Sequence, residues 1–412
     1  MATLAINIKA KAMRDEGRDM THFGFGESPF SVHPKLCDAF AGSVRHKSYL
    51  PGLGLPQLRE NIAAYYQKHA DYDFSAARIA VGPGSKELIY HLLYVLEGPV
   101  ILPAPSWVSY APQAILHGRA IHFVRTKRQD GYRMSAAALA AALAGIHAPQ
   151  KILIINSPGN PTGQVYNREE LKALAAVCCK HNVIVISDEI YAQTDFTAPM
   201  SPGLAAYCPQ QVLITAGLSK AYGAGGWRLG FAAAAHDSLL PVFNALAVVI
   251  SETFSCVCAP LQYAACLAYS DDEEIKSHIR ACATAHAAVV FHTARRLREC
   301  GLYCADGQGG FYLFPNFDDF GEKLRARGIM TAADLASVLL DECAIAALPA
   351  DDFGLPTQEL ALRFAPMDYD GDGLLHAIAK SGGDPAAVIP AHAATFIPRV
   401  VAGCETIKTM AR

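Results

Sequence analysis

Val183-Ile184-Val185-Ile186-Ser187-Asp188-Glu189-Ile190-Tyr191 is the stretch that decides the fold. Residues 183–187 read as a strand that is apolar on both alternations, as expected where helices cover both faces of a parallel sheet. Two carboxylates end it abruptly. Working outward, the pattern recurs. Upstream, 168–181 has helical spacing, and 151–156 is an apolar run that ends in turn chemistry. Earlier still, 78–81, 100–102 and 120–124 read as short strands, with an amphipathic helix over 85–96. Downstream, 212–216 and 229–233 complete the set. Strand, helix and strand repeated this often predict an α/β fold with a mostly parallel sheet.

At 412 residues the chain is too long for one small core, so two domains are expected. After about residue 285 the character changes. Residues 285–300 read as the end of a long helix, and 302–304, 310–314 and 360–365 as strands mixed with helices. The expected division is a three-layer α/β/α unit over 46–284 and a smaller α+β unit formed by 1–45 with 285–412. A hydrophobic fraction of 52% with 18% charged residues argues against disorder. A net charge of -3 gives no electrostatic case for nucleic acid. No apolar run reaches membrane-spanning length. Residues 1–7 lack the regions of a signal peptide and read as a first helical turn, so a cytoplasmic location is expected. The 12 cysteines show no zinc-site spacing and are expected to be reduced thiols packed as small apolar residues.

In open α/β sheets, ligands sit beyond the carboxyl ends of the strands. The unusual residues of this chain fall there. Gly82-Pro83-Gly84-Ser85-Lys86 follows one strand, and Asn156-Ser157-Pro158-Gly159-Asn160-Pro161-Thr162-Gly163 follows another. Asp188 to Tyr191 and Ser219-Lys220 follow two more. Lys220 is then succeeded by a glycine-rich turn and by Arg228. A lysine attacks carbonyls once it loses its proton, which desolvation or a neighbouring cation favours. An arginine holds phosphate as a planar, permanently charged fork. Together they point to a cofactor carrying an aldehyde and a phosphate: pyridoxal phosphate.

The neighbouring residues can serve such a molecule. Asp188, straight after an apolar run, needs a partner. It is a helix cap or structural ion pair taken alone, but beside Lys220 it can keep a pyridine nitrogen protonated. Tyr191 and Asn160 can donate to the ring's phenolic oxygen, although Asn160 also suits a plain Asn-Pro turn. Backbone N–H groups of Gly84, Ser85 and Lys86 at a helix start, with Arg228 opposite, can cradle phosphate. Trp107 can stack on the ring or be an ordinary core aromatic. Arg363, inside an apolar strand, requires an anion, either a substrate carboxylate or a structural partner.

These segments, in this combination and order, resemble the fold type I pyridoxal-phosphate enzymes of the class I/II aminotransferase family (aspartate aminotransferase-like). The resemblance is carried by Ala2-Thr3-Leu4-Ala5-Ile6-Asn7, Gly24-Phe25-Gly26-Glu27, Tyr49 to Arg59, Pro105-Ser106-Trp107-Val108-Ser109-Tyr110, Asn160-Pro161-Thr162-Gly163, Asp188-Glu189-Ile190-Tyr191, Ser219-Lys220, Gly226 to Gly230 and Gly309-Gly310-Phe311-Tyr312. It implies that Lys220 carries the internal aldimine and shuttles the proton. Asp188 would pair with the pyridinium, Asn160 and Tyr191 would bind the phenolic oxygen, and Trp107 would stack. Arg228 with Gly84, Ser85 and Lys86 would hold phosphate, and Arg363 and Gly26 the substrate carboxylate, beside Trp107 and Asn160. Tyr49 would reach the phosphate of a neighbouring subunit, implying a homodimer with shared sites. Lys86 matches a position where some aspartate-using relatives meet the distal carboxylate.

There are departures. Gly217 stands where many relatives have a phosphate-contacting serine, a role Ser219 or the partner chain would take over. Pro349-Ala350-Asp351-Asp352-Phe353-Gly354 replaces Pro-Gly-x-x-Phe-Gly. Asp368-Tyr369-Asp370-Gly371-Asp372-Gly373 copies the first half of an EF-hand loop, but Ala379 occupies the place of its last glutamate. A capped helix start is expected there, and no metal. The expected function is an aminotransferase acting on an L-amino acid and a 2-keto acid. The alternatives on the same scaffold are a lyase, cyclase, decarboxylase or oxidase. A cofactor-sensing regulator would need a DNA-binding module, for which a resemblance beginning at Ala2 leaves no room.

Overall fold

A computed structural model describes residues 2–70 and 72–411. One sheet carries seven strands in the order Ile79–Gly82, Gly230–Ala234, Val212–Gly217, Val183–Asp188, Lys151–Asn156, Val100–Ala104, Ile121–Arg125. Neighbours run parallel throughout, except that Gly230–Ala234 is antiparallel to both strands beside it. Successive strand side chains point to opposite faces. Ile152 and Ile154 therefore join Leu102 and Leu213 in one core, and Leu153 and Ile155 join Val185 and Ile214 in the other. Both faces are covered, which gives the three-layer α/β/α arrangement the apolar strands require.

Local signals set the helices. Arg168–His181 begins at a capping box between Asn167 and Glu170 and ends at Asn182 in the left-handed conformation. Ser85–Val95 starts directly after Gly84, whose φ of 93° is open to glycine. The expected first helical turn lies in the helix Ala2–Asp15, with Met1 outside the described residues.

A further core gathers Phe23, Leu297, Leu313, Leu335, Phe364 and Ile407. The long helix Glu273–Glu299 spans both regions, giving Ile275 and Ile279 to the sheet side and Ala285 to Leu297 to this second core. Leu36, in the helix Pro34–Ser43, packs on the sheet side.

The strands expected in this second region are shorter than the sequence suggests. Residues 302–304 and 310–314 form only isolated bridges, Tyr303 to Asn316 and Leu313 to Phe364. Gly310 turns the chain with a φ of 67°, and the buried Asn316 side chain bonds Tyr132 and Asp318, so no ladder extends. Of residues 360–365, only Leu362–Arg363 pairs as a strand, against Leu348–Pro349, where proline has no N–H to continue the ladder. The acidic segment is a helix start, as expected: Asp370 caps Gly371–Lys380 through the Gly373 amide at 3.1 Å. Asp372 and Asp368 accept from the Ser31 and His22 amides at 3.0 and 2.9 Å. Among the described residues, no helix is long and apolar enough to cross a membrane.

Candidate active site

Sheet register builds the floor of the site. Asn156, Asp188 and Thr215 are paired across three adjacent parallel strands at the carboxyl edge. The Thr215 hydroxyl donates to Asp188 Oδ1 at 3.2 Å, and the Tyr110 hydroxyl donates to Oδ2 at 2.7 Å. Asn156 Nδ2 donates to the Asp188 carbonyl at 2.7 Å, and its Oδ1 accepts the Asn160 amide at 2.8 Å. Asn156 thus locks two of the expected site residues to each other. Burial pushes the Asp188 carboxyl up to about 6, against the pull of the two hydroxyls, the Ile190 amide and Lys220. Glu189, beside it, points away to Tyr72 and Ser187, and burial pushes it up to about 7.

Lys220 lies past the end of the Val212–Gly217 strand and donates from Nζ to the Gly26 carbonyl at 2.6 Å. Its ammonium stands 5.7 Å from the Tyr191 ring centre and 5.6 Å from that of Phe311. Tyr191 is buried, and its hydroxyl lies 2.7 Å from that of Tyr312. Burial, with Tyr312 beside it, holds the Tyr191 phenol well above its ordinary value.

The cradle is made by close backbone approach. Gly217 pairs with Gly230, and a side chain on Gly217 would meet Gly230 Cα and the Leu229 carbonyl at 2.6 Å. This explains why a serine does not stand there. A Cβ on Gly230 would lie 2.7 Å from the Ser85 amide nitrogen, so the helix start rests directly on the strand. No side chain caps that helix. Arg228, left-handed at φ 57°, is exposed and donates to the carbonyls of Gly225 at 2.9 Å and Pro83 at 3.0 Å. A Cβ on Gly84 would sit 2.4 Å from its Nη2. Ser219 is half-buried just before Lys220.

Arg363 is only 4% exposed and donates to the Gly24 carbonyl at 2.7 Å and to Asn160 Oδ1 at 3.4 Å, while its buried Nε has no partner. Burial holds its guanidinium below the usual range. Trp107 lies edge-to-face with Tyr110, and the two line a cavity with Asn156 and Asn160. Lys86 stands 5.1 Å over the Trp107 ring. Partial burial, then Arg228 and Lys220, lower its basicity, although the side chain still reaches solvent. Among the described residues, Lys86, Lys220, Arg228 and Arg363 make no ion pair. Tyr49 is 90% exposed.

Sequence reasoning missed four supporting residues. Tyr110, Thr215 and Asn156 hold Asp188 and its loop, and Tyr312 meets Tyr191. Thr215 is the one polar residue inside its apolar run, a signal that can be read. The others sit in segments already singled out, but their partners depend on register and packing.

Residues 18–372 match the family described as aminotransferase class I and II. The chain is 34% identical to the aspartate aminotransferase of Geobacillus stearothermophilus, over 86% of this chain and 89% of that one. The structure resembles aspartate aminotransferase from Thermus thermophilus with maleate, at a TM-score of 0.81 and 25% identity, over 93% of this chain and 96% of that one. It also resembles an aromatic aminotransferase from Pyrococcus horikoshii OT3, at a TM-score of 0.80 and 25% identity, over 97% and 98% of the two chains.

Proposed function

From the premise that the chain belongs to the aminotransferase class I and II family, and is therefore an aminotransferase, we propose that it uses pyridoxal 5'-phosphate held by Lys220 to exchange an amino group between an L-amino acid and a 2-keto acid. The observation that carries this reading is the charge imbalance at the sheet edge. Four cations stand without ion-pair partners among the described residues near the buried Asp188, and the complement is a ligand set with a phosphate, a carboxylate and a protonated ring nitrogen. The donor chemistry fits. Asp188 would hold the ring nitrogen, and Asn160 and Tyr191 the phenolic oxygen, with Trp107 against a ring face. Arg228, the open amides of Gly84 to Lys86 and Ser219 would hold the phosphate. Family membership favours transamination over the lyase, cyclase, decarboxylase and oxidase alternatives.

When bound, the cofactor supplies an aldehyde that takes up the amino group and a ring that accepts the electrons of the broken Cα–H bond. The chain's own residues do the rest. Arg363, with Gly26 beside it, grips the substrate carboxylate and so orients the Cα–H bond. The Lys220 amine would act as the general base that takes the Cα proton and, once protonated, as the acid that gives it up. Asp188 keeps the ring nitrogen protonated from a site where Tyr110 and Thr215 fix both of its oxygens.

The substrate class we propose is acidic amino acids. Lys86 is unpaired beside Trp107, and the related aminotransferases named above include an aspartate enzyme and one studied with maleate, a dicarboxylate. We also propose a homodimer in which exposed Tyr49 completes the phosphate site of a second copy. The working division is a sheet-bearing unit and a smaller one formed by the N-terminal segment with 285–412, the boundary falling before Pro34 because Leu36 packs on the sheet side. The cysteines of the described residues form no disulfide, which supports the cytoplasmic location we propose.

The test is spectral and kinetic. Purified protein should carry a visible absorption band that Lys220→Ala removes, and should transfer amino groups from an L-amino acid to 2-oxoglutarate. A wild-type protein that takes up no pyridoxal phosphate, or a Lys220→Ala variant that keeps both band and turnover, refutes the assignment.

A further inference from the structure

We infer that Tyr312 is a positioning residue whose hydroxyl donates to Tyr191 and so aims the Tyr191 proton at the cofactor's ring oxygen. The inference rests on the cofactor site proposed above and assigns a role to a residue outside it. The two phenol oxygens are 2.7 Å apart, and both side chains are buried. The rings meet edge to face, with centres 5.5 Å apart.

A phenol has one proton to give and can accept as well. A buried pair of hydroxyls therefore has to decide which donates. The Tyr312 hydroxyl has no other hydrogen bond among the described residues. On its far side it meets Gly26, where even a Cβ would lie 2.2 Å from the oxygen. The Gly26 carbonyl is already taken by Lys220 Nζ. Among the described residues Tyr191 is the one hydrogen-bond partner of the Tyr312 hydroxyl, and a Tyr191 oxygen that accepts from it keeps its own proton free for a third group. Burial keeps Tyr191 protonated across the working range, so it stays a donor.

Packing alone does not call for this hydroxyl. Phenylalanine would fill the same space and would still offer its ring to the Arg363 guanidinium, which stands 4.9 Å from the Tyr312 ring centre. The ring thus touches the residue proposed to grip the substrate carboxylate, while the hydroxyl touches the residue proposed to hold the cofactor. Only the hydroxyl is assigned a positioning role.

The experiment is a pH titration of the visible absorption band of the holoenzyme in wild type, Tyr312→Phe, Tyr191→Phe and the double variant. A weaker donor leaves more negative charge on the ring oxygen, and that charge holds the neighbouring proton more tightly. Tyr312→Phe should therefore raise the midpoint by about half a unit to one unit, the equivalent of one ordinary hydrogen bond. In the Tyr191→Phe background the same change should add almost nothing, because the path runs through Tyr191. Incorporating 3-fluorotyrosine at position 312 preserves the shape with a more acidic phenol and should lower the midpoint, which keeps the test available if Tyr312→Phe fails to fold. An unmoved midpoint in Tyr312→Phe, additive shifts in the double variant, or no response to the fluorinated residue overturns the role. A wild type with no lysine-dependent band would instead overturn the cofactor assignment, so the two failures are distinguishable.

Discussion

Replacing Asp188 with asparagine should stabilise the cofactor-free protein at neutral pH while disabling the enzyme. Asp188 is 2% exposed, and burial moves its carboxyl from an ordinary 3.8 to about 6. The folded-state value lies above the unfolded one, so the folded protein keeps a proton that the unfolded chain has already released. Stability therefore falls as pH rises from about 4 to about 6, and the loss persists above that window. A shift of two units amounts to roughly 3 kcal/mol. Asparagine has the same shape and no charge. Its neighbours Tyr110 and Thr215 are hydroxyls that can donate or accept, so the amide is satisfied without rebuilding the site. Urea unfolding of apo-protein at one fixed concentration, at pH 4.5 and pH 7.5, measures the effect. The stability difference, variant minus wild type, should grow by about 2 kcal/mol between the two pH values, since part of the loss is already present at pH 4.5. Turnover should fall by about 10²–10³-fold or more once the ring nitrogen loses its charged partner. A difference that does not change with pH, or one that moves in wild type's favour as pH rises, refutes the account of the buried charge. Wild-type turnover in the variant refutes the pairing with the ring nitrogen.

Other residues give sharper local tests. Gly217→Ser forces an atom to within 2.6 Å of Gly230 Cα and the Leu229 carbonyl, both backbone, and should lower stability by roughly 1–3 kcal/mol, read as a drop in Tm; an unchanged Tm contradicts the close-approach argument. Lys86→Ala should raise KM for aspartate and glutamate by about tenfold, the loss of one charge-assisted contact, while KM for alanine stays put; an equal rise for alanine removes Lys86 from substrate choice. Arg363→Lys exchanges a planar fork for a single ammonium and leaves Gly24 and Asn160 without their donors, so kcat/KM should fall about 10- to 100-fold with cofactor binding largely kept; wild-type kcat/KM would mean the carboxylate is gripped elsewhere.

Much of the sheet side was legible because its signals are local. Helix 168–181 reads correctly because a capping box starts it and Asn182 ends it. The Val183–Asp188 strand reads correctly because four β-branched residues precede a carboxylate. Lys220, Asp188 and Asn160 stood out because polar residues that end apolar strands gather at one edge by topology alone. What could not be read depends on distance along the chain. Thr215 reaches Asp188 only through strand register, and Tyr191 meets Tyr312 across 121 residues. The strand expected over 310–314 failed because its apolar pattern does not reveal the turn at Gly310 or the Asn316 side-chain bonds that replace a ladder. Nor could composition tell that Gly217 is dictated by a facing glycine on the antiparallel strand.

The same physics links the site's charge imbalance to its stability. Lys86 and Arg363, whose positive charge burial disfavours, and a carboxylate raised by burial each carry a desolvation cost in the cofactor-free protein. A ligand that supplies both missing signs relieves these costs together, so its binding energy is larger than its contacts alone suggest. Mass action alone adds about 2.7 kcal/mol at a hundred times Kd, close to what the burial of Asp188 takes away. A protonated ring nitrogen against Asp188 would also draw that carboxyl back down, since an opposite charge favours the ionised form. Pyridoxal phosphate should therefore do more than raise Tm uniformly. It should flatten the decline in stability between pH 4 and 6 seen in the apo-protein, as the asparagine variant does without any ligand. If the cofactor raises Tm equally at pH 4.5 and 7.5, the carboxylate is not its partner, and the charge imbalance at the sheet edge belongs to some other ligand.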